Sequence, residues 1–140
     1  TPLHWTSCQG EAHSVKCLID IGAAPRGILD SSGATPLFVA AEFGHAPVCK
    51  LLLEGGADMF AKNRGGENPI YIASLKGHCD VVEVMLAFST RLLDTQNRHG
   101  QTAMHIAARR ASVWFVTNLL AAGASVEIPD EYGHRALDVA

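Results

Sequence analysis

A short pattern returns five times along the chain at an almost constant spacing. The copies read TPLH, TPLF, NPIY, TAMH and RALD, and successive copies are 34, 33, 34 and 33 residues apart. A repeat of this length is typical of solenoids, in which each unit buries its apolar face only against its neighbours. The copies begin at Thr1, Thr35, Asn68, Thr102 and Arg135.

Residues 30–45 show how one unit is built. Asp30 and Gly33 fit the first and fourth positions of a type I β-turn. Thr35 can cap a helix, and Pro36 suits the first helical position, where a missing N–H costs nothing. An apolar stripe and a terminating glycine follow, which predict a short helix: Leu37, Ala40, Ala41 and Gly44.

A second apolar helix is predicted after each of the first four copies, and a similar turn precedes the last four. Each helix would span two or three turns and would be unstable alone in water, so stability must come from stacking. The turns begin at Asp30, Asn63, Asn97 and Asp130, and the stripes are Val15/Leu18/Ile19, Val48/Leu52/Leu53, Val82/Met85/Leu86 and Val116/Leu119/Leu120.

The TPLH starts, the Gly-His turns and the Gly-Ala helix ends resemble the ankyrin repeat over essentially all 140 residues. The resemblance implies an all-α ankyrin-repeat solenoid of stacked helix–turn–helix units with β-turn fingers. We expect one domain with repeats at approximately 1–29, 30–62, 63–96, 97–129 and 130–140. Neither terminal repeat has a polar outer face, so we expect a segment of a longer protein.

Three departures from the pattern have structural consequences. One connector has an extra residue around Pro25–Gly27. In the third repeat, residues 88–94 replace the Gly-Ala end, which predicts a bulged finger or an extended second helix. In the fourth repeat, Ala111 and Ser112 replace the Gly-His turn.

No pattern of catalytic or cofactor-binding residues is found, so we expect no enzyme activity, no cofactor and no metal. The resemblance implies structural roles for His4, His45, His78 and His105. The four cysteines have no CxxC spacing, which favours buried reduced thiols and a cytoplasmic or nuclear protein. Trp5 is expected to pack, whereas Trp114 is either an exposed contact on the convex side or a contact to a missing neighbour.

The resemblance also implies a binding surface on the concave face, made of finger tips and first-helix ends. Residues 62–110 carry seven Lys/Arg and four Asp/Glu, whereas the remainder carries four and ten. We consider two interpretations, a solvated charged face and a pocket for an acidic or phosphorylated peptide. The candidate partner-binding residues are Phe43, Arg64, Leu75, Lys76, Arg98, His99, Arg109, Arg110 and Tyr132, and the position after the finger glycine adds residues such as Ala34.

The function that this pattern favours is a non-enzymatic protein–protein interaction module, an adaptor or scaffold. The alternative is a regulatory or substrate-recruiting segment of a larger enzyme, channel or ubiquitin-ligase subunit. A net charge of −3 argues against nucleic acid as the partner. No apolar run is long enough to cross a membrane, so no direct insertion is expected.

Overall fold

The computed structural model describes residues 1–26 and 29–140, and this part of the chain is all-α. The extra residue expected around Pro25–Gly27 falls partly outside the described residues. The elements are α1 (Pro2–Gln9), α2 (Ala12–Asp20), α3 (Pro36–Glu42), α4 (Ala46–Glu54), α5 (Pro69–Lys76), α6 (Cys79–Phe88), α7 (Ala103–Arg109), α8 (Val113–Ala121) and a final 3-10 turn (Ala136–Val139).

The first helix of each repeat begins at the predicted cap. The Thr35 hydroxyl accepts a hydrogen bond from the Phe38 N–H at 3.2 Å, and Pro36 occupies the first helical turn. Asn68 replaces the threonine with the same effect, because its carbonyl oxygen accepts from the Tyr71 N–H at 2.9 Å. Either side chain therefore satisfies a backbone donor that the helix itself leaves unpaired.

A left-handed residue ends the first helix of each of the first four repeats. Gly10, Gly44 and Gly77 have φ values of +73°, +80° and +86°. The fourth repeat places Ala111 in the same region, with φ at +49°. A side chain in this region crowds its own backbone at a cost of roughly 1–2 kcal/mol, so this turn is strained where the others are not.

The helices form two layers. First helices pack on first helices in the order α1, α3, α5 and α7, while α2, α4 and α6 pack side by side in the second layer. The small residues Ala40 and Ala41 are completely buried and allow the first helices to approach closely. Leu52 and Met85 are also completely buried and fill the second layer. The core is therefore continuous along the stack.

The predicted second-helix stripes are buried in the core or packed against it, except at Leu120 of α8. Leu52 and Leu53 are buried, but Leu120 at the position matching Leu53 is 47% exposed. Phe115 and Leu119 are the buried residues of α8, and Val116 is half-buried. The reason is that no further second helix covers that side of α8 within the described residues.

The third repeat keeps a regular finger after a modified connector. Helix α6 has ten residues, one more than α4 and α8, so a slightly extended helix is confirmed. A turn then buries Leu92 and Leu93. The finger at Asn97 has the same hydrogen bonds as the others, so the expected bulge was wrong.

Each finger is organised by the side chain at its first position. One carboxylate oxygen of Asp30 accepts hydrogen bonds from the Ser32 N–H at 2.8 Å, the Ser32 hydroxyl at 2.6 Å and the Ala34 N–H at 2.9 Å. Asn63 accepts from the two equivalent backbone N–H groups at 2.9 and 3.0 Å. The predicted turns are thus confirmed, and an amide performs the acceptor role as well as a carboxylate.

Removing a fully buried leucine from the second layer should destabilise the whole stack. We expect Leu52→Ala to lower the free energy of unfolding by about 2–5 kcal/mol, because the cavity cannot close. Leu137, which is 67% exposed, is the matched control, and its alanine variant should cost under about 1 kcal/mol. Urea unfolding followed by circular dichroism measures both, and equal losses would contradict this packing.

The two aspartate fingers should make stability sensitive to acid. Burial raises the pKa of Asp30, but hydrogen bonds from the Ser32 side chain, the Ala34 N–H and the Ser32 N–H outweigh it and lower the pKa below its ordinary value. A depressed folded-state pKa means that the stabilisation is present above the unfolded value of about 3.9 and is lost as pH falls through the folded value.

Asp30→Asn should keep the finger hydrogen bonds, as Asn63 does, but lack the contribution of the ionised carboxylate, so it should lose less stability on acidification than the wild type. Thermal melting between about pH 6 and about pH 3 measures this. Asp20→Asn, an exposed helix residue, is the control and should follow the wild-type curve. An Asp30→Asn curve parallel to wild type would rule out the finger contribution.

Candidate functional site

Five exposed cations gather along the fingers and first-helix ends of the third and fourth repeats. We call them the basic patch: Arg64, Lys76, Arg98, Arg109 and Arg110. All were predicted as partner-binding residues. Their surroundings differ, and those differences decide which of them are available to a ligand.

Arg64 and Arg98 occupy equivalent finger positions one repeat apart. A Cβ atom placed on Gly33 would lie 3.1 Å from Cγ of Arg64, and one on Gly66 would lie 2.8 Å from Cγ of Arg98. Each arginine stem thus lies against the neighbouring finger, where only glycine leaves room. Within residues 1–26 and 29–140 neither guanidinium forms an ion pair with a carboxylate, so both charges remain exposed to solvent.

The backbones of neighbouring fingers also bond to each other. The Arg64 N–H donates to the Ser32 carbonyl at 3.2 Å, and the Glu131 N–H donates to the His99 carbonyl at 2.9 Å. These bonds hold the finger tips in a row across the repeats. The position that carries arginine in two fingers carries Glu131 in the last one.

His99 is engaged by that glutamate. Its Nδ1 lies 2.7 Å from a Glu131 carboxylate oxygen, although both side chains remain substantially exposed. The pair joins two fingers, so His99 is less available to a partner than the sequence suggested.

Arg110 has a structural partner that the sequence reading missed. Its Nη1 donates to the Leu75 carbonyl near the end of α5. In earlier repeats a histidine makes the equivalent bond, since His45 Nε2 donates to the Cys8 carbonyl and His78 Nε2 to the Glu42 carbonyl, both at 2.9 Å. The guanidinium of Arg110 thus replaces the histidine that the fourth repeat lacks.

The sequence contained a signal for this exchange. Ser112 stands where the earlier repeats have His45 and His78, and a serine is too short to reach the previous repeat. Arg110 stands two residues earlier, and its Nη2 lies 3.4 Å from the Cβ position of Gly77. A serine in the histidine position, with a long arginine side chain two residues before it, therefore indicates that the arginine makes the contact with the preceding repeat.

Arg109 lies near a partly buried hydrogen bond between Tyr71 of α5 and Gln101, which follows the finger glycine of the next repeat. The Tyr71 hydroxyl donates to Gln101 Oε1 at 3.1 Å. Burial raises the pKa of Tyr71, the nearby Glu67 charge adds to the increase, and the Arg109 charge opposes it. Tyr71, which the sequence did not single out, therefore lies close enough to sense the charge of Arg109.

The apolar candidates do not form one pocket with the basic patch. Phe43 is 52% exposed and Tyr132 is 75% exposed, whereas Leu75 is half-buried. Phe43 and Tyr132 are three repeats apart, or roughly 30 Å at about 10 Å per packed helix. They flank the patch. Ala34 is 3% exposed and contributes no surface, contrary to the prediction.

The expected structural histidines are confirmed. His4 Nε2 donates to the Ala34 carbonyl at 3.0 Å, and His105 Nε2 donates to the His134 carbonyl at 3.1 Å. With His45 and His78, all four bridge one repeat to an adjacent one. No group of three or more metal-ligating side chains occurs in the described residues.

The cysteine prediction was only partly correct. All four are free thiols, but Cys49 alone is buried, and burial raises its pKa to about 12. Cys17 is exposed, while Cys8 and Cys79 are half-buried.

The two tryptophans differ in burial. Trp5 is 67% exposed, so its expected packing role was wrong. Trp114 is half-buried and meets the Phe115 ring edge-on, with centroids 5.0 Å apart. None of the described helices is both long and apolar enough to span a membrane.

The contrast between Arg109 and Arg110 can be measured through stability. We expect Arg110→Ala to lower the free energy of unfolding by about 1 kcal/mol, because the Leu75 carbonyl loses its hydrogen-bond donor. Arg109→Ala, the matched neighbour, should change it by less than about 0.5 kcal/mol. Chemical unfolding of both variants tests this, and equal effects would contradict the bridging role.

Comparison with known proteins agrees with this architecture. A family model described as ankyrin repeats (3 copies) matches residues 1–63 and 55–130. The Neurogenic locus notch homolog protein 4 of Homo sapiens is 32% identical across 89% of this chain, and homolog protein 1 of Xenopus laevis is 30% identical across 98%. "Putative palmitoyltransferase ZDHHC13" of Danio rerio is 31% identical across the whole chain.

The chain spans only a small part of these relatives, namely 7%, 6% and 22% of their respective lengths. The ankyrin repeat is a non-catalytic fold that binds proteins or peptides. The family model matches most of the sequence, and capped, stacked helix pairs repeat along the structure. This chain therefore belongs to the ankyrin-repeat family.

Proposed function

We propose that this chain is an adaptor module that binds an acidic segment of a partner protein along the basic patch on its concave face. The observation that carries the proposal is the pair Arg64 and Arg98. Both guanidinium groups project from equivalent finger positions, with their stems held against glycines and no carboxylate neutralising them within the described residues.

Guanidinium groups suit this role because each can grip a carboxylate with two parallel hydrogen bonds. Holding the stems against the neighbouring fingers reduces the entropy lost when a ligand binds. Arg109 and Lys76 add positive charge along the first-helix ends. Arg110 contributes charge as well, but part of its donor capacity is used by Leu75.

The spacing of the fingers suggests a ligand geometry. Adjacent repeats lie about 10 Å apart, and a polyproline II segment advances about 9 Å in three residues while returning to the same face. Acidic side chains three residues apart would therefore face Arg64 and Arg98 together. A partner segment with this spacing fits the row of fingers better than an isolated acidic residue.

A second candidate is a regulatory or substrate-recruiting segment within a larger enzyme, channel or ubiquitin-ligase subunit. The observation that favours it is the small fraction of each relative that the chain spans, one of them named as a palmitoyltransferase. The same basic patch would then recruit a protein to activity located elsewhere. Free thiols at all four cysteines favour an intracellular location for either role.

Reversing the two finger arginines should weaken binding of an acidic peptide. The probe is a fluorescein-labelled peptide with glutamate at every third residue between prolines, measured by fluorescence anisotropy. We expect Arg64→Glu with Arg98→Glu to weaken binding at least about tenfold and to flatten its salt dependence, because charge attraction is lost.

The matched control is Lys16→Glu with Lys50→Glu. Both lysines are exposed on second helices, and this variant changes the net charge by the same amount. It should bind nearly as the unaltered chain does. Equal weakening in both variants would show that net charge governs binding, and unchanged binding in both would favour a merely solvated charged face.

A further inference from the structure

The turn between α7 and α8 carries an arrangement that the fold does not require. Ser112 follows Arg109 by three residues and Arg110 by two, and the apolar Val113 comes directly after it. Protein kinases with acidic substrate-binding subsites select serines in this setting, because their carboxylates pair with the two arginines. The other repeats have no such arrangement at their turns.

The structure places this segment at the surface. Arg109, Arg110, Ala111 and Val113 are exposed, and Ser112 is half-buried. Ser112 is the N-cap of α8, yet its side chain makes no capping hydrogen bond. Its hydroxyl therefore has no structural role that modification would have to disrupt.

The backbone of this turn differs from that of its counterparts in two respects. The Ser112 N–H donates to the Ala107 carbonyl at 3.2 Å, whereas the equivalent bonds of His45 and His78 are 2.9 Å long. Ala111 adopts a left-handed conformation that glycine provides in the earlier repeats. The strained alanine lowers the cost of opening this turn into the extended form that a kinase binds, and the Arg110 bond to the Leu75 carbonyl must be released at the same time.

We propose that Ser112 is a phosphorylation site for an arginine-directed protein kinase, and that its phosphate weakens binding of an acidic segment at the basic patch. The second half rests on the proposed function. In the reaction the Ser112 oxygen forms a bond to the γ-phosphorus of ATP and the bond to the β-phosphate oxygen breaks. ADP leaves, and the hydroxyl proton is released.

A phosphate at this position has favourable surroundings. Helix α8 has nine residues, no acidic residue in its first turn and no side-chain cap, so its first N–H groups can donate to phosphate oxygens. The phosphate would carry about −1.5 to −2 charges at neutral pH. It would lie within three residues of Arg109 and Arg110, two of the five cations of the basic patch, and would offset their charge.

The test uses the intact, folded chain with Mg-ATP and a purified kinase that requires these two arginines, the catalytic subunit of cyclic-AMP-dependent protein kinase. Intact mass spectrometry should show one addition of about 80 Da, and peptide mapping should place it on Ser112. Ser32 is exposed but follows no arginine pair, so it serves as an internal control and should remain unmodified. Phosphate at other residues only, or none on the folded chain, would overturn the site.

Two variants separate recognition from binding. Ser112→Ala should take up no phosphate and, after the same treatment, should bind the glutamate peptide as the untreated chain does. Arg109→Gln with Arg110→Gln should be phosphorylated at least about tenfold more slowly, since the kinase loses its charge contacts. An unchanged rate would overturn the assigned recognition.

Phosphorylated chain should bind the glutamate peptide at least about fivefold more weakly than unmodified chain at low salt. Equal affinity of the two forms would overturn the regulatory half while the mass measurement still established the site. If the unmodified chain does not bind the peptide at all, the proposed function and its regulation by phosphate are both wrong. Phosphorylation of Ser112 is then decided by the mass measurement alone.

Discussion

Stacking of short helices is the interaction on which the rest of this structure depends. None of the helices in the described part of the chain exceeds ten residues, and helices of this length are marginal in water. Each therefore persists because its apolar face is covered by the repeats beside it. Fully buried side chains such as Leu37, Leu52 and Met85 supply that contact. The fingers, and therefore the candidate binding surface, are positioned by the stacked helices beneath them and by the hydrogen bonds between neighbouring fingers.

A second set of contacts fixes how the repeats are aligned. Side chains at the turns reach backward to the carbonyl groups of the preceding first helix, through His45, His78 and then Arg110. A carbonyl near a helix end has no partner within the helix, so a donor from the next repeat satisfies it and joins the two units. The exchange of histidine for arginine retains this bond while adding a permanent positive charge to the basic patch.

At the fourth repeat, residues that hold the stack together also belong to the candidate binding surface. Arg110 stabilises the stack, contributes charge beside Arg109, and precedes a serine with no capping role. The strained turn at Ala111 is the place where the repeat departs most from its neighbours. Because the turn at Ala111 does not follow the regular repeat, its residues are less constrained by the fold and can serve in partner binding or be modified. This turn directly follows Arg109 and Arg110 of the basic patch.

The resemblance to the ankyrin repeat predicted structural roles for four histidines, and the sequence by itself determined the capping residues and the finger turns. These follow from short-range patterns, since a cap or an Asx turn requires particular residues within a few positions of one another. It also located the cations of the basic patch. Tertiary structure alone decided that Arg110 bonds to Leu75, that His99 pairs with Glu131, that Trp5 and Leu120 are exposed, and that Ala34 is buried. Those outcomes depend on which neighbouring repeat covers each side chain. A local pattern contains no information about contacts between residues some 30 positions apart in the sequence.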